Sequence, residues 1–300
     1  MSNPTIAVLG LGAMGLPMAT CLAEKFTVRS YDIAAARMDL AKEAGVAPSA
    51  SAREAATGAD IVLLAVRNRA QLDNALFGDD GVTPVLEKGA TILLTSTVGI
   101  EAVREVAQQL DTLGLHIVDA PVSGGPVRAG NGDLLIVVGA TDVAYDATLD
   151  VLNQLASTLV RIGPNPGDGQ AMKTVNQLLC GVHIAAGAEA LALAEALGID
   201  PAIALETLGA GAAASFMLAD RGPRMLQAYD EGGAEVRSRI DIFTKDMGIV
   251  NSAARAAGVA TPIAAAAENL YVIAEAQGNG AKDDSSVITV VASQKKGTVE

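Results

Sequence analysis

Thr5-Ile6-Ala7-Val8-Leu9-Gly10-Leu11-Gly12-Ala13-Met14-Gly15 decides the fold. Its first five residues form an apolar, partly β-branched run of strand length, and the apolar stretch Ala13–Glu24 that follows predicts a helix. A Gly-x-Gly-x-x-Gly string joins the two. At such a turn the first glycine allows the tight bend and the second lets the backbone approach a pyrophosphate. The third permits close packing of helix on strand, with the helix N-terminus facing the anion. The string alone is weak evidence; its place between strand and helix makes it a dinucleotide-binding turn. Asp32 ends the next strand about twenty residues on, where a carboxylate accepts hydrogen bonds from ribose hydroxyls and repels a 2′-phosphate. Arg29 and Arg37 flank it, but the expected cofactor is NAD rather than NADP.

Outward from this stretch, apolar runs alternate with amphipathic ones. Strands are expected at 5–9, 27–31, 61–66, 91–94, 116–119, 134–138 and 158–162, and helices include 13–24, 34–44 and 100–113. Continuous apolar strands are buried on both faces, so the alternation predicts a Rossmann-type, doubly wound parallel sheet. The breaker cluster Gly163-Pro164-Asn165-Pro166-Gly167 closes the last strand, and the chain is helical thereafter, at 169–197, 201–208, 241–257 and 263–277. The fold class is therefore α/β followed by an all-α domain. The expected domains are 1–163 for the dinucleotide and 164–300 for substrate and oligomerisation. The tail 281–300 is the least periodic stretch.

Composition narrows the function. Of the 300 residues 50% are hydrophobic and only 3% aromatic, so the core is aliphatic. A net charge of −13 argues against nucleic-acid or anionic-membrane partners, which need an extended basic surface. Cys21 and Cys180 lie outside any metal or disulfide spacing and are expected to be buried thiols, and no carboxylate cluster suggests a metal. The N-terminus lacks a basic n-region, and no run of about 18 or more uncharged apolar residues occurs, so neither a secretory signal nor a membrane span is expected. A cytoplasmic protein is the expectation. The apolar, Ala-rich helical region suggests a homodimer or homotetramer.

Three segments carry candidate chemistry. Asp119-Ala120-Pro121-Val122-Ser123-Gly124-Gly125 follows a strand and offers a hydroxyl and flexible backbone amides. By itself it fits a carboxylate-holding turn and a plain Gly-rich turn equally. Lys173 lies in the first turns of the helix after Gly169, with Asn176 and Gln177 on the same face. The surrounding face is apolar, and a desolvated ammonium has a lowered pKa that suits proton exchange with a hydroxyl near neutral pH. Lys245 and Asp246 form a charged pair on an apolar helix, which a surface ion pair would explain as well. His116 and His183 are solitary and are given no chemical role.

These residues resemble those of the β-hydroxyacid dehydrogenases, the family of 3-hydroxyisobutyrate dehydrogenase. The likeness spans almost the whole chain, through Gly10 to Gly15, Ser96-Thr97, Asp119 to Gly125, Gly167 to Gln177 and Lys245-Asp246. It implies NAD-dependent hydride transfer on a small hydroxy acid, with Lys173 as acid/base, Asn176 orienting the substrate hydroxyl and Gln177 sharing that role. It further implies that Ser123, Gly124 and Gly125 hold the substrate carboxylate, with Asp246 nearby. Val66, Ser96, Thr97 and Lys245 join Gly10 to Gly15 and Asp32 around the cofactor. Many members carry an Asp shortly before the Ser-Thr pair, where this chain has Leu93-Leu94-Thr95. The segment from Leu64 to Gly81 and the Ser96-Thr97-Val98 form are most similar to the L-threonate dehydrogenase branch. 3-Hydroxyisobutyrate dehydrogenase and tartronate semialdehyde reductase are the alternatives within the family. A non-catalytic cofactor-binding interaction module is the alternative outside it.

Overall fold

The computed structural model describes residues 3–292, which fall into two compact units, one ending at Lys173 and the other beginning at Thr174. The first contains strands β1 (Thr5–Leu9), β2 (Thr27–Tyr31), β3 (Ala47–Pro48), β4 (Ile61–Leu64), β5 (Thr91–Leu94), β6 (His116–Asp119), β7 (Val122–Ser123), β8 (Leu134–Gly139) and β9 (Ala156–Gly163). Its helices are α1 (Gly15–Ala23), α2 (Ala35–Glu43), α3 (Ala52–Ala56), α4 (Arg69–Phe77), α5 (Ile100–Thr112), α6 (Gly125–Gly130) and α7 (Asp142–Leu155). A 29-residue helix, α8 (Asp168–Ala196), gives its first turns to this unit and the rest to the second.

The sheet runs β3-β2-β1-β4-β5-β6 with every pair parallel, as the strand–helix alternation predicts. Alternate residues of each strand serve opposite faces. Ile6, Val8, Ile61 and Leu63 join α1 and α7 in one core, while Ala7, Leu9, Val62 and Leu64 join α4 and α5 in another. Each Leu or Ile so buried contributes about 1.5–3 kcal/mol.

Beyond β6 the sheet departs from a purely parallel one. β8 is antiparallel to β6 and β7, because the chain between β7 and β8 is too short for the crossover of a dozen or more residues that a parallel return requires. The pairs Asp119↔Gly139, Val122↔Ile136 and Ser123↔Leu135 keep one register, so β6 and β7 are a single ladder interrupted only at Ala120-Pro121. β9 then pairs with β8 in parallel.

The second unit contains α9 (Pro201–Ala210), α10 (Phe216–Leu226), α11 (Ile240–Ala256), α12 (Pro262–Ala274) and α13 (Ile288–Val291). Its core joins Ile184, Ala188 and Leu191 of α8 to Phe243, Met247 and Tyr271, with the Phe243 and Tyr271 rings stacked at 5.4 Å. By length and composition alone α8 could cross a membrane, contrary to the expectation that no span occurs; 44% of its apolar window is buried inside the protein. α12 stops at Ala274, short of the predicted end, and a π turn follows over Glu275–Asn279. Within the aperiodic tail a 3-10 turn covers Asp284–Val287 and α13 follows it; residues 293–300 lie outside the described residues. Both cysteines are buried and form no disulfide.

Candidate active site

The Gly10 to Gly15 turn leaves the C-terminal end of β1. Gly10 has φ +94, and a Cβ on it would stand 2.5 Å from the Ala65 carbonyl oxygen. A Cβ on Gly15 would stand 1.8 Å from the Gly10 carbonyl oxygen, so the helix can approach the turn only without a side chain there. Gly12 differs, since a Cβ on it would meet no protein atom within 4 Å. Packing therefore does not require Gly12, and a bare backbone there suits the approach of a pyrophosphate. No side-chain oxygen caps α1, whereas Ser51, Asn68 and Thr141 cap α3, α4 and α7. The amide groups at the start of α1 thus keep their capacity to bind an anion.

Asp32 follows β2 and organises this turn. Its carboxylate accepts from the Leu11 N–H at 2.6 Å and from the Ala34 N–H at 2.8 Å. The remaining lone pairs can take ribose hydroxyls. Arg29 lies elsewhere, its guanidinium donating to the Glu54 carbonyl oxygen at 3.5 Å. Val66 sits just past the end of β4 and its N–H donates to Ser96 Oγ at 2.8 Å; Ser96 is buried and its hydroxyl donates to the Leu64 carbonyl oxygen. The Thr95 hydroxyl donates to the same carbonyl at 3.0 Å. Thr95 thus ties the ends of β4 and β5 together and leads directly into Ser96 and Thr97.

The start of α8 closes onto this region. Asp119, fully buried at the end of β6, accepts through Oδ2 from the N–H groups of Gly167 at 2.9 Å and Gln170 at 2.8 Å. A carboxylate from a strand is thus the N-cap of the long helix, at the positive end of its dipole. Burial nevertheless pushes the Asp119 carboxyl up to about 6, against the downward pull of the Gln170 side chain and the surrounding N–H groups. Gly169 allows the approach, since a Cβ there would stand 2.6 Å from the Asp119 carbonyl oxygen.

One turn further along α8, Lys173 is 8% exposed and its Nζ donates to the Val122 carbonyl oxygen at 2.8 Å. The amine therefore stands at the edge of the Ser123-Gly124-Gly125 turn, where Gly124 and Gly125 have φ of +144 and +78. The first unit brings together the glycine turn, Asp32, Val66, Ser96 and Thr97 at strand ends, and Lys173 with Ser123 to Gly125. Sequence reasoning gave no role to Asp119 or to Gln170. Asp119 was visible as the first residue of its motif, but its partners lie 48 and 51 positions away.

The second unit gathers the remaining candidates. The Gln177 side-chain amide donates to Asp246 Oδ2 at 2.6 Å, and Lys245 Nζ stands 2.9 Å from Asp246 Oδ1. Asp246 is 3% exposed; Oδ2 is hydrogen-bonded to Gln177, while the buried Oδ1 faces the Lys245 ammonium as an ion pair without hydrogen-bond geometry. The Asn176 amide donates to Gln177 Oε1 at 2.9 Å and to Cys180 Sγ at 3.4 Å. Lys173, Asn176 and Gln177 share one face of α8 through the three- and four-residue spacing.

Comparison with known proteins shows the family. Residues 5–163 match the family model of the NAD binding domain of 6-phosphogluconate dehydrogenase, and residues 167–291 that described as NAD-binding of NADP-dependent 3-hydroxyisobutyrate dehydrogenase. The chain is 36% identical to an L-threonate dehydrogenase of Escherichia coli O6:H1, over 95% of this chain and 94% of that one. It is also 36% identical to an L-threonate dehydrogenase of Cupriavidus necator, over 95% of each. A crystal structure of 3-hydroxyisobutyrate dehydrogenase from Salmonella typhimurium superimposes with a TM-score of 0.88 at 35% identity, covering 96% of this chain and 100% of that one. The chain belongs to the 3-hydroxyisobutyrate dehydrogenase-type family, NAD-binding oxidoreductases that act on small hydroxy acids.

Proposed function

We propose that this protein oxidises L-threonate or a closely similar hydroxy acid with NAD, using Lys173 as the proton acceptor. The observation that carries this reading is the buried Lys173 amine, 2.8 Å from the Val122 carbonyl oxygen and beside Ser123. The Ser123 hydroxyl and the backbone amides of Gly124 and Gly125 take the substrate carboxylate. Asn176, one turn along α8, orients the substrate hydroxyl, and Gln177 shares that work. Asp246 holds Gln177 and Lys245 in place. Gly10, Leu11, Gly12, Ala13, Met14 and Gly15 receive the pyrophosphate, Asp32 the ribose, and Val66, Ser96, Thr97 and Lys245 the rest of the cofactor. When bound, the nicotinamide supplies the hydride acceptor. Asp32 supports NAD over NADP, because a 2′-phosphate would meet its carboxylate. L-Threonate is favoured by the two relatives that bear that name at 36% identity.

Residues 1–163 are assigned to cofactor binding, and 164–300 to substrate binding and to self-association in the cytoplasm. Support for a homodimer or homotetramer comes from large exposed apolar side chains in the helical part, among them Leu193, Ile203, Phe216 and Ile263. Light scattering that returned a monomer at micromolar concentration would reject it.

The deciding experiment follows NADH absorbance with L-threonate, D-glycerate and 3-hydroxyisobutyrate. Turnover fastest on L-threonate is expected. Cofactor binding without turnover on any hydroxy acid would replace the enzyme with a cofactor-binding module.

A further inference from the structure

We infer that Gln170 is a positioning residue that locks the Ser96-Thr97 turn to the base of the lysine-bearing helix. The inference rests on the reading of Lys173 and the nicotinamide turn given above. Gln170 is fully buried, and its side chain spends its whole hydrogen-bonding capacity within the first unit. Oε1 accepts from the N–H groups of Val98 at 2.9 Å and Gly99 at 3.1 Å, and Nε2 donates to the Ser96 carbonyl oxygen at 3.0 Å and to Asp119 Oδ1 at 2.8 Å. One amide thus grips both sides of Thr97, the backbone oxygen before it and the backbone N–H groups after it. The same amide is tied to the carboxylate that caps α8, and Lys173 lies three residues further along that helix. A shift of Thr97 relative to Lys173 requires breaking this bridge.

The demand on residue type is strict. Two backbone N–H groups need an acceptor on one arm, and a carbonyl and a carboxylate need a donor on the other, which only a primary amide of this length supplies without a proton. In the Gln170→Glu variant the acceptor arm survives, but the other oxygen confronts Asp119 and the Ser96 carbonyl. Two carboxylates that close share a proton or repel. The charged groups around this point are Asp119 on β6, Asp168 and Lys173 on α8, and Arg104 on α5.

The test compares Gln170→Ala and Gln170→Glu with wild type. Gln170→Ala is expected to keep its NADH affinity within about threefold, since the pyrophosphate and ribose contacts are untouched, while kcat falls at least about tenfold through lost orientation. The fluorescence of NADH bound to this variant should move toward that of free NADH. Gln170→Glu should recover as the added carboxyl takes up its proton, so its kcat relative to wild type should rise at least about tenfold from pH 8 to pH 6, with no such trend for Gln170→Ala. Wild-type kcat and wild-type bound NADH emission in Gln170→Ala would overturn the inference. So would a flat relative pH profile for Gln170→Glu. Should the alanine variant fail to fold, the glutamate profile decides. Should the wild type turn over no hydroxy acid, the proposed function falls, and the emission of bound NADH alone decides the role of Gln170.

Discussion

Lys173 donates from Nζ to the carbonyl oxygen of Val122 at 2.8 Å, which fixes the amine beside the residue that begins the Ser123-Gly124-Gly125 turn. The amine and the glycine-rich turn are thus joined through a backbone atom.

Replacing that amine should remove chemistry and spare binding. In Lys173→Met, kcat is expected to fall by roughly 10² to 10⁴, the range for loss of a positioned acid/base, with the NADH dissociation constant within about threefold. Stopped-flow hydride transfer and NADH fluorescence titration measure the two separately. A variant with near-wild-type kcat would remove Lys173 from the mechanism.

Gly12 and Gly15 should respond oppositely to the same change. Gly12→Ala puts its methyl group where no protein atom lies within 4 Å, so the melting temperature should hold while NADH affinity drops at least about tenfold. Gly15→Ala drives its methyl into the Gly10 carbonyl oxygen and should cost about 3 kcal/mol of stability. Thermal unfolding and cofactor titration of the two variants check this contrast.

Asp119 gives stability a pH dependence of known sign. Its folded carboxyl holds a proton up to about 6, above the value of 3.8 for an unperturbed group, so its contribution is complete below about pH 4 and declines as pH rises to about 6. The span corresponds to roughly 3 kcal/mol. Urea unfolding of wild type and Asp119→Asn between pH 4 and 8 should show their stability difference shifting by that amount against Asp119. A constant difference would contradict the raised value.

Asp246→Ala removes the acceptor of the Gln177 amide and the carboxylate beside Lys245. Unfolding should register a loss of about 2 kcal/mol, as expected when a buried donor loses its partner. An unchanged melting temperature would show that Asp246 does not organise this cluster.

What was legible in the sequence follows from where the information is local. β1, β4 and β5 could be read because burial on both faces leaves continuous apolar runs, and Lys173 because no second lysine or arginine follows it in the next thirteen residues of the helix. The turn over Gly10 to Gly15 could be read because the spacing of its three glycines between strand and helix is itself the signal, although the neighbour that excludes a side chain at Gly10 is Ala65, 55 positions away. The antiparallel return at β8 could not, since an apolar run carries no mark of strand direction. α10, which carries Pro223 inside it, was not among the expected helices. Gln170 was one amide in a helix until Ser96 and Asp119, 74 and 51 positions away, came within hydrogen-bonding distance.

The common register of β6 and β7 against β8 makes the gap at Ala120-Pro121 a matter of parity. Successive strand residues face opposite sides of a sheet, so inserting or deleting one residue there would turn Ser123 to the far side while leaving the hydroxyl chemically intact. Changes of two residues would preserve its facing. The length of this connection is therefore a handle on the hydroxyl's orientation that is separate from its chemistry.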